Sequence, residues 1–129
     1  MTKVKTSKLA GITLDWAVAK AEGMEIDGPS VIICKVYRDD EGLEWVVQWE
    51  PTTNWSQGGP LIDREIGNLW KNNKLDPNEP DVWTAAAYRK APDGTMLYYE
   101  DGPTPLVAAM RCYVASRLGD EVDVPEELL

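Results

Sequence analysis

Residues 54–60 (NWSQGGP) are the stretch whose residue types most directly suggest chemistry. The indole of Trp55 offers a flat apolar surface, and Ser56 and Gln57 set a hydroxyl and an amide beside it. Gly58 and Gly59 let a backbone approach a ligand closely and present N–H groups to it. Pro60 suits the first position of a helical turn, and a helix N-terminus favours an anion. Such a set can hold a nucleotide or a peptide carboxylate. Its spacing is neither that of a P-loop nor that of a dinucleotide fingerprint. The same residues also read as a tight turn, with Trp55 in the core and Gln57 bonded to backbone.

A second helix start of similar composition lies at residues 102–107 (GPTPLV), to be compared with residues 58–62 (GGPLI). Thr104 is a good N-cap, and Pro105 suits the first helical position, where its missing N–H has no partner anyway. If the fold brings the two starts together with Trp55 between them, their unpaired backbone donors converge on one pocket. Arg111, about two turns along the second helix, would then oppose the anion. The competing role for Arg111 is that of a buried organiser that holds Asp15 or a loop carbonyl. Hydrolysis at such a pocket would need Asp15, Asp63 or Glu65 to hold a metal or activate water. The chain has no histidine, which removes Ser–His and Cys–His nucleophile pairs and every His-based metal site. Cys34 and Cys112 are too few for a disulfide scaffold or a structural zinc, and both are expected to be reduced and buried. No cofactor, metal site or catalytic residue is therefore expected.

The elements that must position these groups follow from periodicity and punctuation. Residues 105–118 form the longest helix, ended by Gly119. They are apolar on nearly every face, which places the helix in a core, with Met110 and Tyr113 buried. Ser7 is read as the cap of a first helix that runs from about residue 8 or 13 to Glu22 and stops at Gly23. Residues 1–6 are a short strand candidate. Residues 31–37 and 43–49 read as a hairpin, and residues 82–89 and 95–99 as a second one around Pro92-Asp93-Gly94. Residues 50–60 read as loop, residues 68–81 as an exposed polar excursion, and residues 120–129 as an acidic tail. Among the six tryptophans, Trp16, Trp45 and Trp83 are assigned to the core. Trp49, Trp55 and Trp70 sit near turns and are candidates for a binding surface, with core placement as the competing reading for each. The result is a single α+β domain over residues 1–129. It is expected to hold a mostly antiparallel sheet of four or five strands from two hairpins, with the two helices on one face.

With 13 basic and 22 acidic residues the net charge is −9, which repels phosphate backbones and argues against nonspecific nucleic-acid binding. The long helix is too short, and too interrupted by arginine, to span a bilayer. No signal-peptide pattern is present, and a cytosolic setting is expected.

Three blocks resemble one known family. They are residues 14–19 (LDWAVA) with Glu22-Gly23, residues 54–60 (NWSQGGP), and residues 102–106 (GPTPL) with 108–115 (AAMRCYVA). Together they are similar to the phage NinX-like family of small proteins from tailed phages and prophages. The resemblance implies a bacterial host, a setting in the host cytoplasm and an accessory role during infection. It supplies no reaction and no catalytic residue. With the charge and the loop tryptophans, it points to a non-enzymatic module that binds a host or phage protein. A binder or hydrolase of nucleotide-like anions at the two Gly/Pro helix starts is the alternative. Partner-binding candidates are Trp55, Ser56, Gln57, Gly58, Gly59, Thr104 and Arg111.

Overall fold

The computed structural model describes residues 1–26 and 33–129. The expected turn at Gly28-Pro29 and the first residues of the 31–37 strand lie outside the described residues. In chain order the elements are β1 (Thr2–Lys5), α1 (Gly11–Glu22), β2 (Cys34–Arg38), β3 (Glu44–Gln48), α2 (Trp55–Glu65) and β4 (Asn68–Lys71). They continue with β5 (Trp83–Ala91), β6 (Gly94–Gly102), α3 (Pro105–Leu118) and β7 (Glu121–Val124). The class is α+β, and every strand pairing among the described residues is antiparallel.

α3 is the spine. Thr104 caps it by accepting from the Val107 N–H at 3.1 Å, and Pro105 occupies its first turn. Ala108, Ala109, Met110, Cys112, Tyr113 and Val114 are buried, as an all-round apolar helix requires. One side of α3 lies on β5 and β6, where Ala85 and Ala87 leave room for it. α1 and α2 pack chiefly against α3, so among the described residues α3 is the helix that lies on the large sheet, where two were expected on one face.

The seven strands of the described residues divide into three small sheets, β1–β7, β2–β3 and β4–β5–β6, where one sheet of four or five strands was expected. Both hairpins form, but they do not join. Periodicity tells which face of a strand is buried, but not which remote strand it meets. The added strands β4 and β7 are only four residues long, too short for a periodic signal. β4 takes the first part of the expected 68–81 excursion into the large sheet. β7 draws the acidic tail back onto β1, burying Val122 and Val124.

Trp45 leaves its expected core place, and Trp49 takes the core reading over the surface one. Trp45 is 46% exposed and Trp49 only 5%. β2 and β3 contact mainly each other and stand off the core, carrying Trp45 with them. Trp49, just past the strand, bonds Ile33 through its backbone N–H (2.6 Å) and enters the core beside it. α1 begins at Gly11, not near Ser7. Residues 6–8 form a short 3₁₀ turn, in which the Thr6 hydroxyl donates to the Gly119 carbonyl at 2.7 Å.

Candidate functional site

Residues 54–60 are not a loop. Asn54 caps α2 by accepting from the Ser56 N–H at 2.9 Å, so the helix starts five residues before Pro60. Gly58, Gly59 and Pro60 lie within it. A Cβ on Gly58 would meet the Pro51 carbonyl oxygen at 2.5 Å and Leu106 Cδ2 at 2.6 Å. The glycine is there for close packing of α2 on α3, not for a ligand-cradling turn. Gln57 also acts on the chain itself. Its Nε2 donates to the Gln48 carbonyl (2.8 Å), and its Oε1 accepts from the Glu50 N–H (2.7 Å), which fastens the end of β3 to α2. Ser56 is exposed and its side chain makes no bond among the described residues.

The two helix starts are nevertheless adjacent. Thr52, Thr53, Trp55, Thr104, Pro105 and Leu106 line a cleft of about 260 Å³. Trp55 is 56% exposed at its edge. The caps at Asn54 and Thr104 satisfy the Ser56 and Val107 donors, which narrows what the cleft offers an anion.

Arg111 does not join this cleft. It lies two turns along α3, a rise of about 10 Å. There its Nε donates to the Leu9 carbonyl (2.8 Å) and its Nη1 to the Asp101 carbonyl (2.9 Å). Burial pushes its guanidinium below the ordinary arginine value. It fills the organiser role, on loop and strand carbonyls, and not on Asp15. It borders a separate cleft of about 580 Å³ with Asp81, Tyr99, Glu100 and Asp101, an acidic surrounding ill suited to an anion.

The three carboxylates that hydrolysis would need are dispersed. Asp63 is exposed on α2. Asp15, 7% exposed on α1, accepts from the Thr52 N–H at 3.0 Å and the Thr52 hydroxyl at 2.8 Å, tying α1 to the approach to α2. Glu65 is surrounded by arginines. Among the described residues, no three His, Cys, Asp or Glu side chains are placed to hold a metal ion.

Burial raises the Asp15 carboxyl to about 6 from an ordinary 3.8, against the pull of the two Thr52 bonds, and the charge of Glu50 adds to the rise. The folded chain therefore holds this proton more tightly than the unfolded one. The stability it contributes is full below about pH 4 and is lost as pH rises through about 6. Asp15→Asn keeps an acceptor for Thr52 and removes the titration. Urea unfolding at pH 8 should show the variant more stable than the parent by about 2 kcal/mol, with the difference vanishing near pH 4. A variant weaker than the parent at pH 8 would show that Thr52 needs a charged acceptor.

Sequence reading missed two constellations. The first is an ionic hub. Glu65 accepts from Arg64 Nε (2.8 Å) and Arg117 Nη2 (3.0 Å) and pairs with Arg89 Nη2 (2.7 Å). Arg64 also pairs with Glu22, which accepts the Tyr113 hydroxyl. Burial and this bond push the Tyr113 phenol up to about 12. Tyr113 and Arg117, four apart on α3, were the available signal. The second constellation is the sheet face opposite α3. There Trp70, Tyr88, Leu97 and Tyr99 share one side of β4–β5–β6, all exposed. The period-two pattern of Leu97 and Tyr99 opposite Tyr88 was its signal.

No helix of the described residues is long and apolar enough to cross a membrane. No curated protein matches the sequence. A family model described as "Bacteriophage P22, NinX" matches residues 5–117, from the end of β1 to the last turn of α3. The chain thus belongs to the phage NinX family.

Proposed function

We propose that this chain is a non-enzymatic phage accessory module that binds a host or phage protein in the host cytoplasm. The observation that carries the reading is the uncovered face of the three-stranded sheet. Trp70, Tyr88, Leu97 and Tyr99 stand exposed along it, while Thr84 and Ala86 on the central strand keep its middle low. Large exposed aromatic and apolar side chains gathered on one face mark an interaction surface, and Trp and Tyr are the residues most often dominant in binding energy. A net charge of −9 favours a partner with basic groups around an apolar patch and disfavours polyanions.

The test is affinity capture from infected host lysate, comparing the parent with Trp70→Ala/Tyr99→Ala. Both side chains stand clear of the core, so circular dichroism should be unchanged. The expected result is a reproducible, salt-sensitive protein partner that the double variant loses, with affinity falling by at least about tenfold. Equal capture by the variant, or no partner at low salt, would overturn the reading.

The adjacency of the two helix starts beside the exposed Trp55 favours a second reading, a small site for a nucleotide-like anion. A thermal-shift screen of nucleotides with and without magnesium separates the two. A ligand at about 100 times its Kd should stabilise the chain by about 2.7 kcal/mol. Trp55→Ala should abolish that shift.

A further inference from the structure

The β2–β3 hairpin presents a different surface, with the wrong chemistry for solvent. Every residue of β3 (EWVVQ) is exposed, and Val46 is 54% exposed. Trp45 stacks on Tyr37 across the hairpin, with centroids 5.6 Å apart and planes 11° apart, and Val47 lies on the same side. None of the residues of the two strands belongs to the core. Among the described residues only a single antiparallel bridge, from Ile26 to Lys35 on β2, adds to the two strands, and so narrow a ribbon is marginal in water without more strands or a covering layer.

The ladder identifies which backbone groups lie open. The Trp49 N–H to Ile33 carbonyl bond and the Asp39 N–H to Leu43 carbonyl bond bracket the pairing. In the alternating antiparallel pattern, Lys35–Val47 and Tyr37–Trp45 are then the pairs that exchange hydrogen bonds. The N–H and C=O groups of Glu44, Val46 and Gln48 point the other way, along the free edge of β3. Gln57 holds the Gln48 carbonyl. The remaining five have no partner among the described residues. Exposed edges are ordinarily protected by lysine, proline or a bulge. Residues 44–48 contain neither lysine nor proline. Their one charge, Glu44, is drawn back across the hairpin by Arg38 (2.7 Å).

The edge is also complementary to itself. Laid antiparallel on a copy about Val46, the strand sets Val46 against Val46, Trp45 against Val47 and Glu44 against Gln48. No like charges meet, and each pair is apolar with apolar or polar with polar. We propose that two copies of the chain associate through β3, paired antiparallel about a two-fold axis at Val46, to make one four-stranded sheet. Each Val46 donates to and accepts from its counterpart, and each Gln48 N–H donates to the Glu44 carbonyl of the other copy. Tyr37, Trp45 and Val47 of both copies then form one continuous apolar face. The same patch serves both subunits, as a two-fold dimer requires. This surface is distinct from the sheet face proposed above for a protein partner, and neither reading depends on the other.

The experiment is sedimentation equilibrium of the parent, Val46→Lys, Val46→Glu and an equimolar mixture of the two variants, with circular dichroism to monitor the fold. The parent should sediment at twice its 14.4 kDa chain mass. Each variant alone sets like charges directly opposite each other at the axis. Its dimer should weaken by at least about tenfold, with the fold intact. The mixture sets lysine against glutamate and should recover the dimer. A parent that stays monomeric up to about 1 mM overturns the proposal. So does a dimer that both variants leave intact, and so do monomeric variants whose mixture fails to associate.

Discussion

Gly102→Ala should destabilise the protein by about 3 kcal/mol or more, the larger end of what overpacking costs. A Cβ at this position would lie 2.5 Å from the Ala108 backbone nitrogen, 3.0 Å from the Ala108 Cα and 3.0 Å from the Val107 carbonyl carbon. All three atoms are helix backbone, so no side chain can rotate to make room. Relief requires α3 to move away from β6, and α3 carries Ala108, Ala109, Met110 and Cys112 into the core on its neighbouring turns. Gly59→Ala is the matched control. Its Cβ would meet nothing nearer than 4.0 Å, inside a helix where glycine costs about 0.5–1 kcal/mol relative to alanine. Urea unfolding should therefore show one glycine-to-alanine change strongly destabilising and the other stabilising. Similar midpoints for the two variants would show that α3 slides on the sheet at little cost.

Glu65→Ala should cost about 2–4 kcal/mol, through the arginines it leaves behind. The Glu65 side chain is 7% exposed and touches Arg64, Arg89 and Arg117. Burial works to raise its carboxyl, but the bonds from Arg64 and Arg117 and the charges of Arg89 and Arg117 outweigh it. They hold the group below the usual glutamate range. Without it, Arg64 keeps Glu22, Arg89 keeps the Ser116 hydroxyl, and Arg117 keeps no acidic partner among the described residues. Breaking a buried pair on one side is expensive because the other side stays charged. Arg64 and Arg117 are about half exposed and can turn to water, which keeps the cost below that of a sealed pair. The depressed value also sets the pH response. The stability from Glu65 is present above the ordinary glutamate pKa and is lost as pH falls through the lower folded value. Acid unfolding should accordingly lose a contribution in Glu65→Gln relative to the parent. An unchanged acid profile would remove Glu65 from the account.

These two positions differ in how visible they are in the chain. Gly102 sits in GPTP, where glycine before a capped helix start is readily seen. What it touches is not, because the crossing of β6 over α3 is a matter of packing. The hub around Glu65 draws on four elements far apart in sequence, and only Arg64–Glu65 and Tyr113–Arg117 are close enough to suggest a pair.

Local chemistry determined the core helix. Thr104, Pro105, an all-round apolar run and Gly119 specify α3 by rules that act within a few residues. Gly23, in the left-handed conformation at φ 67°, ends α1 in the same way. Turn residues likewise set the two hairpins, and the α+β class followed. Tertiary structure alone decided the rest. Gly58, Gly59 and Pro60 look like a helix breaker, yet the Asn54 cap and the close fit of Gly58 against Pro51 and Leu106 carry α2 through them. Trp45 and Trp49 lie on one face of a strand by period. One is exposed and the other buried because the hairpin leaves the core between them. Arg111 has a charge that suits an anion and a spacing that suits the α3 start. It turned instead to the carbonyls of Leu9 and Asp101, because a half-buried guanidinium must satisfy its donors where the packing puts it.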